Sequence, residues 1–217
     1  MTREMLSVAL ARQVGRVLTP DLAVAIAREA DSEPDFTVDP IQFAPRVWGD
    51  FSFQCETLAA AGLPLRQQRV SYLYETQPAL PARPDWARLL VMQRRGHHVI
   101  FTARHGEARR LVASIWLFLD WSIDTEARTV TDDLFYVEPA HRGGMLAARL
   151  WQYAESSMFA FGVRDAVFHS RLDNGAARLA RYLGYRAVAT RVTKTHLGDD
   201  FAEVPTRRKE VFGDSIV

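Results

Sequence analysis

The sequence contains a single cysteine, Cys55, among its 217 residues. One cysteine cannot form an internal disulfide, and no cysteine and histidine residues are spaced as they are in a zinc site. Lysine is also scarce, because Lys194 and Lys209 are the only two and arginine supplies nearly all the positive charge. With neither disulfides nor zinc ligands to account for, we expect a metal-free protein of the reducing cytoplasm.

The sequence also lacks a large net charge and a long apolar segment. Its 27 basic and 26 acidic residues give a net charge of +1, too small to hold nucleic acid without sequence specificity. No apolar run approaches the length of about 20 residues that spans a bilayer. The first residues, MTREMLSVALARQ, are interrupted by Arg3, Glu4 and Arg12 and do not read as a signal peptide. We therefore expect no nucleic-acid partner and no membrane association.

The composition, 48% hydrophobic and 24% charged, is typical of a globular protein, and the length fits one large domain with an elaborated amino-terminal part. We divide the chain into 1–85, a helical part packed on the core and supplying the acceptor side, and 86–217, the core itself. In the first part, apolar spacing predicts helices over 2–14, from Thr19 to Asp31 and over 47–58, with a short strand over 70–74.

Strand patterns become regular after residue 86. The patterns predict a short helix over 86–92, followed by strands over 98–104 and 111–121. Because the turn between the two strands is short, we expect them to pair as an antiparallel hairpin. A third strand ends at Val137, and a helix then runs through Phe161. A strand over 165–169, a helix over 173–183 and a strand over 186–193 complete the predicted order.

The stretch VTDDLFYVEPAHRGGMLAARLWQYAE, residues 130–155, organises this core. Residues Leu134 to Val137 favour a strand, Gly143 and Gly144 permit a tight turn, and an amphipathic helix follows at once. The free amides at the start of that helix, its positive dipole and Arg142 suit a diphosphate.

Two motifs in this core resemble the GNAT family of N-acetyltransferases. The run V-x-P-x-x-R-G-G-x-x-A is similar to the acetyl-CoA signature of the family, with Arg142 at its first position and Ala147 at its last. Met145 stands where the family usually has its middle glycine, and Gly144 lies one residue earlier. The later segment DNGAARLARYLGY resembles a second family motif, in which Asn174 is one place late.

This resemblance implies the GNAT fold, an α/β structure whose mixed, mostly antiparallel central sheet is flanked by helices. It also implies acetyl-CoA as co-substrate. The residues that would bind it are Tyr136, Val137, Arg142, Gly143, Gly144, Met145, Leu146, Ala147 and Asn174.

Two aspartates and one tyrosine are candidates for proton transfer. Strand residues alternate between faces, so of Asp132 and Asp133 only one can share a face with Val137, and this parity favours Asp133 as the base. Two solvated strand-end aspartates would fit the pattern equally well. The tyrosine that protonates the leaving thiolate in many family members falls at Ala180 here, and Tyr182, two residues later, is the nearest replacement for it or else a core residue.

The resemblance thus predicts an N-acetyltransferase that transfers an acetyl group directly from acetyl-CoA to a primary amine of a small molecule or peptide. Two alternatives stay open. A longer-chain acyl-CoA or acyl-carrier N-acyltransferase, making acyl-amino acids or signals, would share the fold. A catalytically inactive GNAT-like binding module would explain Met145 and Ala180. The oligomeric state is also open, with a homodimer among the options.

Overall fold

A computed structural model of the protein describes residues 6, 9–31, 38–77, 81–122, 125, 127–169 and 175–188. Within these residues the centre of the fold is one six-stranded sheet, with the strands in the order in which they occur along the chain. The strands are β1 (Arg46–Trp48), β2 (Phe51–Glu56), β3 (His98–His105), β4 (Arg110–Ser122), β5 (Ala127–Val137) and β6 (Asp165–Val167). All neighbours pair antiparallel except β5 and β6, which are parallel. The predicted mixed, mostly antiparallel sheet is confirmed.

Helices cover both faces of this sheet. The helices whose bounds are described are α1 (Pro20–Asp31), α2 (Leu58–Ala61), α3 (Leu63–Thr76), α4 (Trp86–Arg94), α5 (Leu146–Ala160) and α6 (Ala176–Tyr182). Of these, α1 packs in a separate small cluster, in which Ile26 and Ala9 are buried. Single 3-10 turns lie at Pro40–Gln42 and Pro139–His141. Helix α1 begins as predicted, because the Thr19 hydroxyl accepts a hydrogen bond from the Leu22 amide at 3.2 Å.

The sheet separates two apolar clusters. On one face, Leu150 and Met158 of α5 are fully buried against Phe101 and Ile115 of the hairpin strands. On the other face, Leu65 of α3 and its neighbours in α2 and α4 cover Trp116 and Leu134. Because α5 and α3 lie on opposite faces, the end of β5 passes between the two helices.

The predicted helix over 47–58 is wrong, because these residues form β1 and β2. Val47, Phe51 and Cys55 are four residues apart, and an even spacing also places residues on one face of a strand. The pairing of β2 with β3 crosses residue 85, so the amino-terminal part is not purely helical and shares its sheet with the core.

Two of the predicted strands also differ from the structure. Residues 70–74 lie within α3, where β-favouring residues such as Val70 and Tyr72 follow Leu65 and Gln68 at helical spacing. At the carboxyl end, residues 186–188 form no regular structure, and 189–193 lie outside the described residues.

A β-bulge in β5 sets the geometry of the site. Leu117 pairs with Asp132 and Trp116 pairs with Leu134, so Asp133 is an extra residue in β5. One extra residue exchanges the faces of the residues before and after it. The parity argument that placed Asp133 beside Val137 is therefore wrong. Asp133 contacts α3. Val137 instead packs on the opposite face, in the apolar cluster that contains Leu150 and Met158 of α5, which we call the α5 cluster.

Candidate active site

The turn between β5 and α5 has the backbone expected of an anion-binding turn. Gly143 has φ +89°, a left-handed conformation that favours glycine. Helix α5 has no side-chain cap, and its first hydrogen bond runs from the Arg149 amide to the Met145 carbonyl at 2.9 Å. The amides of the first helical residues, Leu146, Ala147 and Ala148, therefore have no acceptor within the helix.

Gly144 and Met145 have different steric surroundings in this turn. A Cβ atom added to Gly144 would meet no atom of the described protein within 4 Å, so this backbone is open to a ligand. Met145 has φ −81° and ψ −3°, which any residue adopts, and its side chain is 39% exposed. The absent middle glycine is therefore not required by the backbone conformation at position 145.

Arg142 is held beside this turn by three contacts. Its Nε donates to the Val137 carbonyl at 2.8 Å, and its Nη2 lies 2.9 Å from each carboxylate oxygen of Glu75 in α3. The guanidinium carbon also lies 5.4 Å from the centre of the Tyr136 ring. These contacts orient the guanidinium along the wall of the cleft and place a carboxylate beside it.

A cleft of about 690 Å³ opens between β5 and β6. The last pair between these strands is Thr131 with Val167, and beyond it the strands separate. Tyr72 and Glu75 of α3 form part of the lining, Phe168 and His169 follow β6, and Tyr182 comes from α6. The cleft therefore runs from the separated strands to the open amino end of α5.

Most of the predicted binding residues line this one cleft. They are Tyr136, Val137, Arg142, Gly143, Gly144, Met145 and Ala147. The side chain of Leu146 is instead buried in the core at 3% exposure, so only its backbone can face a ligand. Asn174 lies outside the described residues. Tyr182 lines the cleft and is 61% exposed, so the alternative that it packs in the core is wrong.

Asp133 lies on the α3 side of β5, among buried polar groups. Its Oδ2 accepts a hydrogen bond from Arg69 Nη1 at 2.5 Å, and His98 Nε2 lies 3.4 Å from the same oxygen. Burial raises the pKa of Asp133, but hydrogen bonds from His98 and Arg69 outweigh it and hold the pKa below its usual value. His98 itself is only 2% exposed.

Asp132 lies on the opposite side, next to a histidine that the motifs did not reveal. Its Oδ1 accepts the backbone N–H of His169 at 2.6 Å and lies 3.0 Å from His169 Nδ1. Burial raises the pKa of Asp132, and the hydrogen bonds from His169 only partly offset it. His169 matches no motif position, so only the contact across the two strands identifies it.

Metal-binding clusters and membrane-spanning helices are both absent from the described part of the chain. None of its side-chain clusters brings together three or more His, Cys, Asp or Glu residues in a way that could hold a metal ion. No helix in the same part has the length and apolar character needed to cross a membrane.

Solved structures with the same fold are acetyltransferases, although their sequences are distant. A probable acetyltransferase is 21% identical with a TM-score of 0.55, over 68% of this chain and 98% of that chain. The ribosomal-protein-alanine N-acetyltransferase of Brucella melitensis biovar Abortus 2308 is 18% identical with a TM-score of 0.56, over 67% and 98%. An aminoglycoside acetyltransferase from an uncultured soil metagenomic sample is 12% identical with a TM-score of 0.56, over 70% and 98%.

No curated protein sequence matches this chain. Residues 64–185, more than half of the chain, match the family described as the acetyltransferase (GNAT) family. This match extends from α3 to the residues after α6 and so includes the whole cleft. The protein therefore belongs to the GNAT family of acetyltransferases.

Proposed function

We propose that this protein transfers an acetyl group from acetyl-CoA directly to a primary amine of a small molecule or peptide. One observation carries the proposal: the uncapped amino end of α5 and the glycine turn open into the cleft where β5 and β6 separate. Free amides, the helix dipole and Arg142 favour a diphosphate at one end of this cleft.

The residues present fit CoA along this path. The Gly144 backbone is open on the side where a Cβ would project, so a phosphate can approach its amide closely. The residues of β5 after Thr131 have no pairing with β6, so backbone groups at Tyr136 and Val137 are candidates to bind the pantetheine amides. Bound acetyl-CoA would supply a thioester, and the chain would supply position and proton transfer.

The names of related acetyltransferases support an amine acceptor but differ in its nature. They name aminoglycosides, glucosamine-6-phosphate and a ribosomal protein as acceptors. The cleft of this protein carries charges of both signs, from Glu75 and Asp132 and from Arg142 and Arg178. A polar, charged acceptor amine therefore suits this lining.

Calorimetry and a thiol-release assay test the proposal. We expect acetyl-CoA to bind more tightly than CoA thioesters of long-chain fatty acids, and CoA thiol to appear when the protein meets a panel of aminoglycosides, amino sugars and peptide amines. Preference for a long chain would favour the acyl-amino acid alternative. If acetyl-CoA bound but no amine or water released thiol, the inactive binding module would replace this proposal.

A further inference from the structure

We infer that His169, held by Asp132, is the general base that takes the proton from the acceptor amine. The inference rests on the proposed acetyl transfer and names the residues that perform its proton step. It replaces Asp133, whose carboxylate lies on the other side of β5 and is bound by Arg69.

The contacts with Asp132 orient the ring of His169. The same Oδ1 atom accepts the His169 backbone N–H at 2.6 Å and lies 3.0 Å from its Nδ1. An ionised carboxylate can only accept hydrogen bonds, so Nδ1 carries the proton that Oδ1 receives. Nε2, on the other side of the ring, is then unprotonated and able to accept a proton.

Asp132 and His169 differ in the burial of their side chains, and each degree of burial suits the role that we assign to the residue. The Asp132 side chain is only 8% exposed, whereas that of His169 is 42% exposed and forms part of the cleft lining. A buried carboxylate beside a more exposed imidazole stabilises the imidazolium that forms when the ring takes a proton. Asp132 is thus a positioning residue, and His169 is the group that meets the substrate.

The pair also lies where the strands begin to separate. Asp132 follows the last paired residue of β5, Thr131, and His169 lies two residues after the last paired residue of β6, Val167. The anion-binding turn lies at the opposite end of the same cleft, beyond Val137. On β4, the partners of Asp132 and Val137 are Leu117 and Ala113, four residue steps or about 13 Å apart, so a ligand anchored at the turn can extend along β5 toward the pair.

The other carboxylate and the other histidine of the described cleft lining both have side-chain partners. Glu75 binds Arg142, and Nε2 of His141 lies 3.4 Å from an Arg110 nitrogen. The Tyr185 hydroxyl accepts a hydrogen bond from Trp151, and burial raises its pKa above the usual range. The other ionisable side chains of the described lining are the arginines Arg142 and Arg178 and the tyrosines Tyr72, Tyr136 and Tyr182, so no further carboxylate or imidazole is among them.

The proton and bond changes balance without a further reactant. His169 Nε2 takes one proton from the ammonium form of the acceptor, and the freed nitrogen bonds to the thioester carbonyl carbon. The carbon–sulfur bond breaks with its electron pair on sulfur. The second proton of the nitrogen reaches the thiolate through water, and His169 releases its proton to solvent. The products are an amide, free CoA and one proton.

Nitrogen NMR of the histidine rings tests the pair without any acceptor. In the wild-type protein, the His169 signal, assigned by its loss in His169→Gln, should show a protonated Nδ1 and a bare Nε2. Asp132→Ala should shift this ring toward the Nε2-protonated form, while His97→Gln should leave it unchanged. A wild-type ring protonated on Nε2 would overturn the inference whatever the protein binds.

Turnover measurements test the base itself. With acetyl-CoA and the best amine of the panel, or water, as acceptor, His169→Gln should lower kcat about 10²–10⁴-fold while acetyl-CoA affinity stays within about two-fold. Added imidazole should restore part of the activity of His169→Gly. Normal turnover of His169→Gln would sink the base assignment and leave the acetyltransferase proposal standing. A wild-type protein that neither binds acetyl-CoA nor releases thiol would remove both.

Discussion

At the scale of single residues, Arg142 is the side chain that we propose to contact the diphosphate of acetyl-CoA. Its guanidinium is positioned by Val137 and by the Tyr136 ring, and it lies next to the open turn. Arg142→Ala should weaken acetyl-CoA binding by about 1.5–3 kcal/mol, the value of a charge-assisted contact, as measured by calorimetry. Arg149→Ala removes an arginine from the first turn of the following helix, outside the cleft lining, and is the matched control. Equal affinities for the two variants would contradict the role given to Arg142.

Glu75 provides a second test, in which the expected change in acetyl-CoA affinity has the opposite sign. Its carboxylate contacts Arg142 at the site proposed for the diphosphate, and both side chains are a little under half exposed. Such a pair contributes at most about 1 kcal/mol, so replacing it costs little stability. Removing the negative charge in Glu75→Gln should therefore tighten acetyl-CoA binding, and weaker binding would mean that Glu75 positions the arginine productively.

The variant Met145→Gly tests whether the side chain at this position of the turn affects acetyl-CoA binding. Its backbone lies in the right-handed helical region, so Met145→Gly removes a side chain from the cleft without relieving strain. We expect acetyl-CoA affinity to be kept or improved, at a stability cost of up to about 1 kcal/mol for glycine at a helix end. A large loss of affinity in a folded variant would show that the Met145 side chain contacts the ligand.

At the scale of elements, the bulge in β5 gives its two neighbouring aspartates different roles. The side chains of Asp133 and Arg69 are only 13% and 15% exposed, so Asp133→Ala leaves a largely buried guanidinium without its carboxylate. We expect a loss of about 2–4 kcal/mol in the free energy of unfolding, measured by denaturant titration. Acetyl-CoA affinity and kcat should change little, and a fall in kcat of about 10²-fold or more would restore Asp133 as the base.

The pH dependence of this loss follows from the lowered pKa of Asp133. A carboxyl group whose pKa is lower in the folded state stabilises the protein above its unfolded pKa, near 3.8. That contribution disappears as the pH falls through the folded value. The stability difference between wild type and Asp133→Asn should therefore be constant near neutral pH and shrink below about pH 4. A difference that grew on acidification would contradict the ion pair.

The same elements show how far the sequence determines the site. Apolar periodicity and the glycine turn predicted the hairpin, β5 and α5, because each depends on neighbours close in the chain. Asp133 was misplaced because a bulge depends on pairing with Trp116 and Leu117, which no local pattern records. His169 was missed because its partner, Asp132, is 37 residues away. Contacts across strands decide both positions.

At the scale of the whole molecule, the rate at which Cys55 reacts with thiol reagents measures how often the folded protein opens. It lies on β2 in the α5 cluster, and burial raises the pKa of its thiol to about 12. The thiolate is the form of cysteine that attacks thiol reagents, so the folded protein should react very slowly near neutral pH and should add almost no background to an assay of released CoA.

This thiol also gives a measure of ligand binding that needs no acceptor. If Cys55 reacts only from an open state that cannot bind acetyl-CoA, ligand at 100 times its Kd should slow the labelling about 100-fold. Acetyl-CoA and long-chain acyl-CoA can then be compared by the protection that each gives, with Arg142→Ala as the variant that loses protection. Labelling that stayed equally slow with and without a bound ligand would place Cys55 in a part of the fold that opens independently of the cleft. Fast labelling of the free protein would contradict the burial of β2 on which the six-stranded sheet depends.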